Sequence, residues 1–153
     1  MLPTRHLFFG TLVAIVLLFF PQISIIEAII FVASTVLIDF DHLVYYAIVK
    51  KSINPFKAYR WYRINHSYWL KLSRKAKNRH KGVFLALHGL EVFAIVLALG
   101  IWVHVFFIYV FMGLVFHLFL DVIEMRQHQD RLDKISIIHD YLKFRKLERQ
   151  YHF

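Results

Sequence analysis

The chain contains no cysteine, which excludes disulfide bonds, thiolate metal ligands and a cysteine nucleophile. It has only five glycines, and it shows neither a glycine-rich phosphate loop nor a serine in a nucleophile elbow. Covalent catalysis is therefore disfavoured. The groups that remain for chemistry are ten histidines, ten acidic residues and a few hydroxyls.

Apolar residues, by contrast, are abundant. They make up 59% of the 153 positions, and phenylalanine alone occurs 16 times, whereas soluble domains average about 45–50% apolar residues. A single compact unit of this size has too little interior to bury so much apolar surface, which predicts that the bilayer is its solvent. The formal charge of +9 would suggest a nucleic-acid partner in a soluble protein, but the distribution of the charge indicates otherwise.

Four apolar runs predict four transmembrane helices in two hairpins, an all-α integral membrane bundle. The runs are Leu7–Phe20, Ile23–Ile38, Gly82–Gly100 and Ile101–Ile123. Glu27 interrupts the second run, whose apolar character resumes at Leu43–Val49. The first could instead be a signal-peptide core, since Arg5 precedes it. Because no small-residue cleavage site follows, and Gln22 leads into another apolar run, a retained helix is the better interpretation.

The segment between the second and third helices, residues 50–81, carries 11 basic residues and no acidic one. The positive-inside rule places this basic loop in the cytoplasm, and an even number of helices then places both termini there, in a cytoplasmic (inner) membrane. Its tyrosines and tryptophans suit anionic lipid headgroups at the interface; they are Tyr59, Trp61, Tyr62, Tyr68 and Trp69. A topology determinant without further function is the alternative. Nucleic acid is a weaker candidate partner, because orientation already requires these charges.

The C-terminal segment, residues 126–153, is predicted to be a cytoplasmic amphipathic helix, separate from the transmembrane domain of residues 1–125. Apolar residues recur there at a spacing of three to four with charges between them. They are Leu132, Ile135, Ile138, Leu142 and Phe144. Such a helix would pack on the bundle or on the membrane surface.

The acidic residues are placed unusually. Five of the ten lie from Glu124 onward, and the others lie in or at the ends of the apolar runs: Glu27, Asp39, Asp41, Glu91 and Asp121. A carboxylate at the centre of a membrane helix costs roughly 2.5–3.5 kcal/mol on insertion scales, so each needs a partner. Four of the five have a histidine within four residues. Glu27 does not, and we interpret it as an interfacial carboxylate.

Three of these groupings have helical spacing: Asp39-Phe40-Asp41-His42, His88 with Glu91, and His117 with Asp121. A spacing of three or four places an imidazole and a carboxylate on one face of a helix, as in helical metal sites. For any single pair, a hydrogen bond between two helices is the simpler explanation.

The predicted topology brings these groupings to one layer near the cytoplasmic interface. Nitrogen and oxygen ligands without sulfur indicate zinc, or else manganese or iron, and the number of ligands suits two or three ions. Spacing does not show which ligands would share an ion. The candidate ligands are His6, Asp39, Asp41, His42, His80, His88, Glu91, His117 and Asp121.

At these residues the chain resembles the membrane-bound metal-dependent hydrolases, also described as LexA-binding, inner-membrane-associated hydrolases. The stretch Thr4-Arg5-His6-Leu7-Phe8 is similar to the start of the family's first helix. Asp39-Phe40-Asp41-His42 matches the Asp-x-Asp-His that ends the family's second helix. The family's Gly-x-x-x-His-x-x-x-Asp is matched by residues 113–121, from Gly113 through His117 to Asp121.

The third family element, His-Arg-Gly-x-Thr-His-Ser, is matched only in its first half, by Arg79-His80-Lys81-Gly82. Leu85 stands where the second histidine is expected, and His88-Gly89-Leu90-Glu91 is a His-x-x-Glu variant that could replace it. The family's last-helix pattern is similar to zinc-dependent phospholipase C and related nucleases. The resemblance therefore implies hydrolysis of a phosphoester, such as a phospholipid, by metal-activated water, with Asp41 or Glu91 as general base.

Two alternatives remain open at this point. One is a non-enzymatic metal carrier or sensor, and the other is a structural subunit whose polar layer only holds the helices together. A transporter is less favoured, because the outer halves of the predicted helices carry almost no polar residues.

Overall fold

A computed structural model describes residues 3–73, 75–76, 84–127 and 136–150. All regular structure in these ranges is helical, and they contain no β-strand, so the all-α prediction is confirmed. The helices are α1 (Pro3–Leu17), α2 (Ile25–Leu37), α3 (Phe40–Lys50), α4 (Pro55–Lys71), α5 (Leu90–Trp102), α6 (Phe106–Gln127) and α7 (Ile137–Gln150).

The chain divides into two compact units that interleave along the sequence. The first unit comprises Met1–Asp39 and Leu90–Glu124, and thus holds α1, α2, α5 and most of α6. The second unit comprises Phe40–Gly89 and Met125–Phe153, with α3, α4 and α7.

Two segments are long and apolar enough to cross a membrane, Ile25–Lys50 and Phe106–Gln127. The apolar helices Pro3–Leu17 and Leu90–Trp102 are shorter than a full span. The first, second and fourth predicted runs are mostly helical, but the break between α5 and α6 falls at residues 103–105, inside the fourth run. The break between α2 and α3 falls inside the longer of the two candidate segments.

The third predicted run is different. Gly82–Gly100 was expected to be helical throughout, but α5 begins only at Leu90, and residues 84–89 are not helical. The physical reason is a set of long-range bonds: the Leu87 N–H and the His88 ring both contact the Asp41 carboxylate, which holds this stretch in a turn. His88 therefore precedes the helix that carries Glu91, and the helical spacing predicted for that pair does not apply.

The basic segment 50–81 is not a simple loop, because it contains α4. Asn54 caps this helix by accepting a hydrogen bond from the Lys57 N–H at 3.0 Å, and Pro55 follows at the first helical position, where its missing N–H is harmless. In the C-terminal segment, α7 begins at Ile137, while Leu132 and Ile135 lie outside the described residues.

The capping box at the start of α2 explains Glu27. The Ser24 N–H donates to Glu27 Oε2 at 2.6 Å, and the Glu27 N–H donates to Ser24 Oγ at 3.4 Å. Each side chain thereby satisfies a backbone N–H that the helix leaves open. This carboxylate consequently has a structural role without a histidine.

The first unit buries one face each of α1 and α6. Residues four apart share a face of a helix, and the buried positions follow this spacing: His6, Gly10 and Ala14 on α1, and Gly113, His117 and Asp121 on α6. The apolar ends of these faces adjoin a core of Ala14, Ala28 and Phe31. Along each of these helices, the polar buried residues are thus at one end and the apolar buried residues at the other.

Glycines let α2 approach its two neighbours closely. A Cβ atom at Gly10 would lie 2.6 Å from Thr35 Oγ1, and one at Gly113 would lie 2.7 Å from the backbone oxygen of Phe31. Both separations are below van der Waals contact. Small residues at helix interfaces permit such approach, which is common between membrane helices.

We expect Gly113→Ala to lower the free energy of unfolding by about 1–3 kcal/mol, because the added methyl meets backbone atoms that side-chain rotation cannot move. The control is Val115→Ala, which alters an exposed position on the same helix. Thermal unfolding of the detergent-purified proteins measures the difference. Equal stability of the two variants would contradict the close packing of α2 against α6.

Candidate metal centre

The first cluster consists of His6, Asp39, His117 and Asp121, all buried in the first unit. His117 Nε2 lies 3.7 Å from Asp39 Oδ1 and 3.6 Å from Asp121 Oδ2. His6 Nε2 lies 3.3 Å from Asp121 Oδ1. The N-terminal turn of α1 and the C-terminal ends of α2 and α6 therefore supply this cluster.

The orientation of His117 is set by the backbone of α2. Its Nδ1 lies 2.8 Å from the carbonyl oxygen of Thr35, so Nδ1 carries the hydrogen and donates. This carbonyl is available because the Asp39 N–H bonds Val36 O, three residues back, instead of Thr35 O, four residues back. In the neutral ring, the lone pair of His117 therefore lies on Nε2, the nitrogen nearest the two carboxylates.

This arrangement brings several electron-rich groups together. A nitrogen lone pair and two carboxylates are all electron-rich, and at 3.6–3.7 Å His117 Nε2 is beyond ordinary hydrogen-bond distance from both carboxylates. Buried carboxylates are expensive unless a cation or hydrogen-bond donors compensate them. A metal ion is one such cation, and a second proton on His117 is another.

His6 fits the first of these options. Its side chain has no exposed surface, and neither ring nitrogen makes a well-aligned hydrogen bond among the described residues, although Nε2 lies 3.3 Å from Asp121 Oδ1. Its ring stacks on that of His117, with centroids 3.8 Å apart and planes inclined by 17°. Buried polar groups are nearly always bonded, so a buried imidazole in this state suits a ligand that donates a lone pair to a metal.

The spacing of the ligand atoms also suits a metal. One ligand atom from each of His6, His117 and Asp121 lies within 4.8 Å of the others. In a tetrahedral zinc site with bonds of about 2.0–2.1 Å, neighbouring ligand atoms are about 3.3–3.4 Å apart. The separations of 3.3–3.7 Å in the first cluster are close to this value.

The second cluster consists of Asp41, His42 and His88, all in the second unit. Asp41 Oδ1 lies 3.1 Å from His42 Nδ1, and Asp41 Oδ2 lies 3.0 Å from His88 Nδ1. The Leu87 N–H donates to the same Oδ2 at 3.1 Å. Tyr62 donates its hydroxyl hydrogen to the backbone oxygen of His42 at 2.9 Å, which ties α4 to this cluster.

A carboxylate accepts hydrogen bonds, so both histidines of the second cluster carry their hydrogen on Nδ1 when neutral. Their lone pairs are then on Nε2. Carboxylates commonly orient metal-binding histidines in this way, by holding the nitrogen that does not bind the metal. Asp41 and His88 are buried, whereas His42 is partly exposed. One ligand atom from each of the three lies within 4.8 Å of the others.

Seven of the nine predicted ligands thus fall into two clusters, each within one unit. Asp39 belongs to the first and Asp41 to the second, although one residue separates them in sequence. Glu91 is half-buried in the first turn of α5 and belongs to neither cluster. His80 lies outside the described residues.

Sequence reasoning missed three residues that contact the clusters, Thr35, Leu87 and Tyr62, and one that continues the buried face of α6, Glu124. Thr35 and Leu87 act through their backbones, which no side-chain pattern reveals. Tyr62 was predicted to be an interfacial residue, yet its hydroxyl contacts α3. Glu124 could have been found, because it follows Asp121 by three residues and so continues the buried face of α6.

Comparison with protein families, with curated proteins and with solved structures gives no match to this chain. The resemblance to membrane-bound hydrolases therefore stays an expectation that depends on the sequence elements quoted above.

The bond from His117 to Thr35 can be separated from metal binding by substitution. The amide nitrogen of asparagine can take the place of Nδ1, so His117→Asn should keep the donor to Thr35 O while losing Nε2. His117→Ala should lose both. We expect the alanine variant, in the presence of a chelator, to lose about 1–3 kcal/mol in free energy of unfolding, the penalty of an unpaired buried carbonyl. The asparagine variant should lose less.

Thermal unfolding of the metal-free proteins in detergent provides the comparison. If His117→Asn proves as unstable as His117→Ala, the bond to Thr35 does not orient the ring.

Proposed function

We propose that this protein is a membrane-embedded, metal-dependent hydrolase of a phosphoester, with a phospholipid or another membrane-associated molecule as substrate. The observation that supports this best is His117: one ring nitrogen is held by the Thr35 carbonyl, and the other faces two buried carboxylates beside the buried ring of His6. A hydrogen-bonded structural layer would not need to bury His6 without a hydrogen-bond partner.

The first cluster would hold one metal ion through His6, His117, Asp121 and Asp39, and the second another through His42 and His88. Nitrogen and oxygen donors favour zinc, with manganese and iron as alternatives. Bound there, such ions would lower the pKa of water toward neutrality and stabilise negative charge on a phosphoryl oxygen.

The protein's own contribution would be orientation and exclusion of water. Thr35 fixes the ring of His117, and Asp41 fixes those of His42 and His88. Because Asp41 accepts from two imidazoles and one backbone N–H, we assign it to orienting these rings. Glu91, half-buried at the start of α5, is the remaining candidate for the general base, although it belongs to neither cluster.

The exposed surface supports a membrane location. Large apolar side chains cover the outer faces of α1, α2, α5 and α6, including Phe8, Ile25, Ile95 and Phe119. Exposed apolar surface on this scale is unfavourable in water and suits lipid. With the basic segment in the cytoplasm, both termini would be cytoplasmic, and four membrane helices would form the bundle.

Helix α4 would rest on the anionic lipid surface. The face it exposes combines basic and apolar side chains, as interfacial helices do. These exposed residues are Phe56, Lys57, Tyr59, Arg60, Arg63, Ile64, Tyr68 and Lys71. The segment 50–81 has no acidic residue that would repel phosphate headgroups.

Metal content per chain, measured by elemental mass spectrometry on detergent-purified protein, tests the centre. We expect bound transition metal in the wild type, and loss of at least one ion in His117→Asn and in Asp41→Asn. Glu27→Gln is the matched control, because it removes a carboxylate of the same apolar segments that caps a helix instead. Wild-type protein that holds no metal after incubation with zinc and manganese would contradict the metal centre.

Turnover tests the enzyme. Metal-loaded protein should release product from phospholipids or from a chromogenic phosphodiester, and both cluster variants should lose at least a hundredfold in rate. The Glu27→Gln variant should retain its activity. Bound metal without turnover on any phosphoester would instead support the carrier or sensor alternative. Cluster variants that unfold in the presence and absence of metal alike would support a structural subunit.

The position of α4 can be tested with a spin label, since the chain has no cysteine and an introduced one is unique. Ser67 lies on the exposed face of α4. In nanodiscs with anionic lipid, a label at Ser67→Cys should be shielded from a water-soluble nickel reagent. The control label at Asn65→Cys, about 200° away around the helix, should not be.

Replacing Lys57, Arg60 and Lys71 with glutamine should abolish the shielding at position 67. Equal shielding in neutral and anionic nanodiscs would contradict an electrostatic contact between α4 and the lipid.

A further inference from the structure

The first unit has an unusual charge balance. Its sequence, residues 1–39 and 90–124, contains five carboxylates but no lysine and a single arginine, Arg5. Arg5 immediately precedes His6 of the first cluster. The one guanidinium of this unit is therefore placed beside its candidate metal ligands.

Arg5 faces Glu124, with Nη1 3.6 Å from Oε1. The contact resembles that of His6 with Asp121 and lies closer to the helix ends. Arg5 precedes His6 on α1, and Glu124 follows Asp121 by three residues on α6. The two pairs differ in burial. The His6–Asp121 pair is enclosed, whereas the Arg5 side chain is 60% exposed. Arg5 thus forms the accessible edge of the first cluster.

The ion pair with Glu124 uses only part of the hydrogen-bonding capacity of the Arg5 guanidinium. A guanidinium has five N–H donors in a planar fork, and one contact at 3.6 Å leaves the fork able to bind a second anion. Only the Arg5 end of this pair is exposed, so an incoming ligand can approach the guanidinium without displacing Glu124. The fork geometry matches two oxygens of a phosphate group.

We propose that Arg5 binds the phosphoryl group of the substrate at the edge of the first cluster, and that Glu124 holds the guanidinium there when no substrate is present. This proposal rests on the proposed function, since the phosphoryl group must reach the metal ligands. It adds a specificity-determining residue and its positioning partner. The alternative role of Arg5 is a topology signal with a surface ion pair.

Inorganic phosphate is the probe, and its affinity for zinc-loaded protein in detergent is measured by titration calorimetry. Membrane orientation has no influence on binding in detergent. Arg5→Gln should weaken phosphate binding about tenfold, as expected for loss of a charge-assisted pair. Arg5→Lys should bind with intermediate affinity, because it keeps the charge and loses the fork. Glu124→Gln should bind at least as tightly as the wild type, and the control Glu27→Gln should be unchanged.

Zinc content is measured on the same samples, and it should be equal in all of them. Zinc-loaded wild type that binds no phosphate, or Arg5→Gln with affinity within twofold of the wild type, would overturn the role of Arg5 and leave the metal centre standing. Loss of zinc from both Arg5 variants would assign the residue a structural role instead. Wild type without zinc would overturn the proposed function itself.

Discussion

The geometry of the first cluster depends on one hydrogen bond, from His117 Nδ1 to the backbone oxygen of Thr35. It forms because α2 tightens at its C-terminal end, where the Asp39 N–H turns to Val36 O and leaves the Thr35 carbonyl open. The same bond links α2 to α6 and fixes which nitrogen of His117 carries a lone pair. A backbone irregularity at the end of a helix thus determines the chemistry of a side chain 82 residues away.

Close helix packing makes this bond possible. Gly113 lies one turn before His117 and permits contact between α6 and the backbone of α2, while Gly10 permits contact between α1 and Thr35. At the two glycine contacts no larger side chain fits between the helices. Because the polar residues lie at the N-terminal end of α1 and at the C-terminal ends of α2 and α6, antiparallel packing brings them together.

The proximity of these polar residues was predicted from the sequence, because hairpin topology places the N-terminal end of α1 and the C-terminal ends of α2 and α6 in one layer. His6, Asp39, His117 and Asp121 could therefore be grouped without coordinates. The surroundings of His88 could not be predicted in this way, since a periodic apolar run favours a helix and the bonds from residues 87 and 88 to Asp41 span nearly fifty positions. The contacts of Asp39 and Asp41 were also hidden, because spacing does not reveal which histidine each carboxylate meets. Helix α4 was missed because the charged and aromatic residues of this segment were interpreted as a lipid contact or a topology determinant, without regard to helical spacing.

Charge balance connects these observations. Within the first unit, Asp39 and Asp121 are buried beside neutral or electron-rich nitrogens, and its single arginine is engaged at the edge with Glu124. Neutralisation of the first cluster must then come from protons or from a cation taken up from outside this unit. Two protons on the histidines would satisfy the carboxylates, yet stacked imidazolium rings 3.8 Å apart would repel each other. A divalent ion would avoid that repulsion, because it would offset the carboxylates while the histidines stay neutral, which is the physical basis for proposing a metal in this cluster.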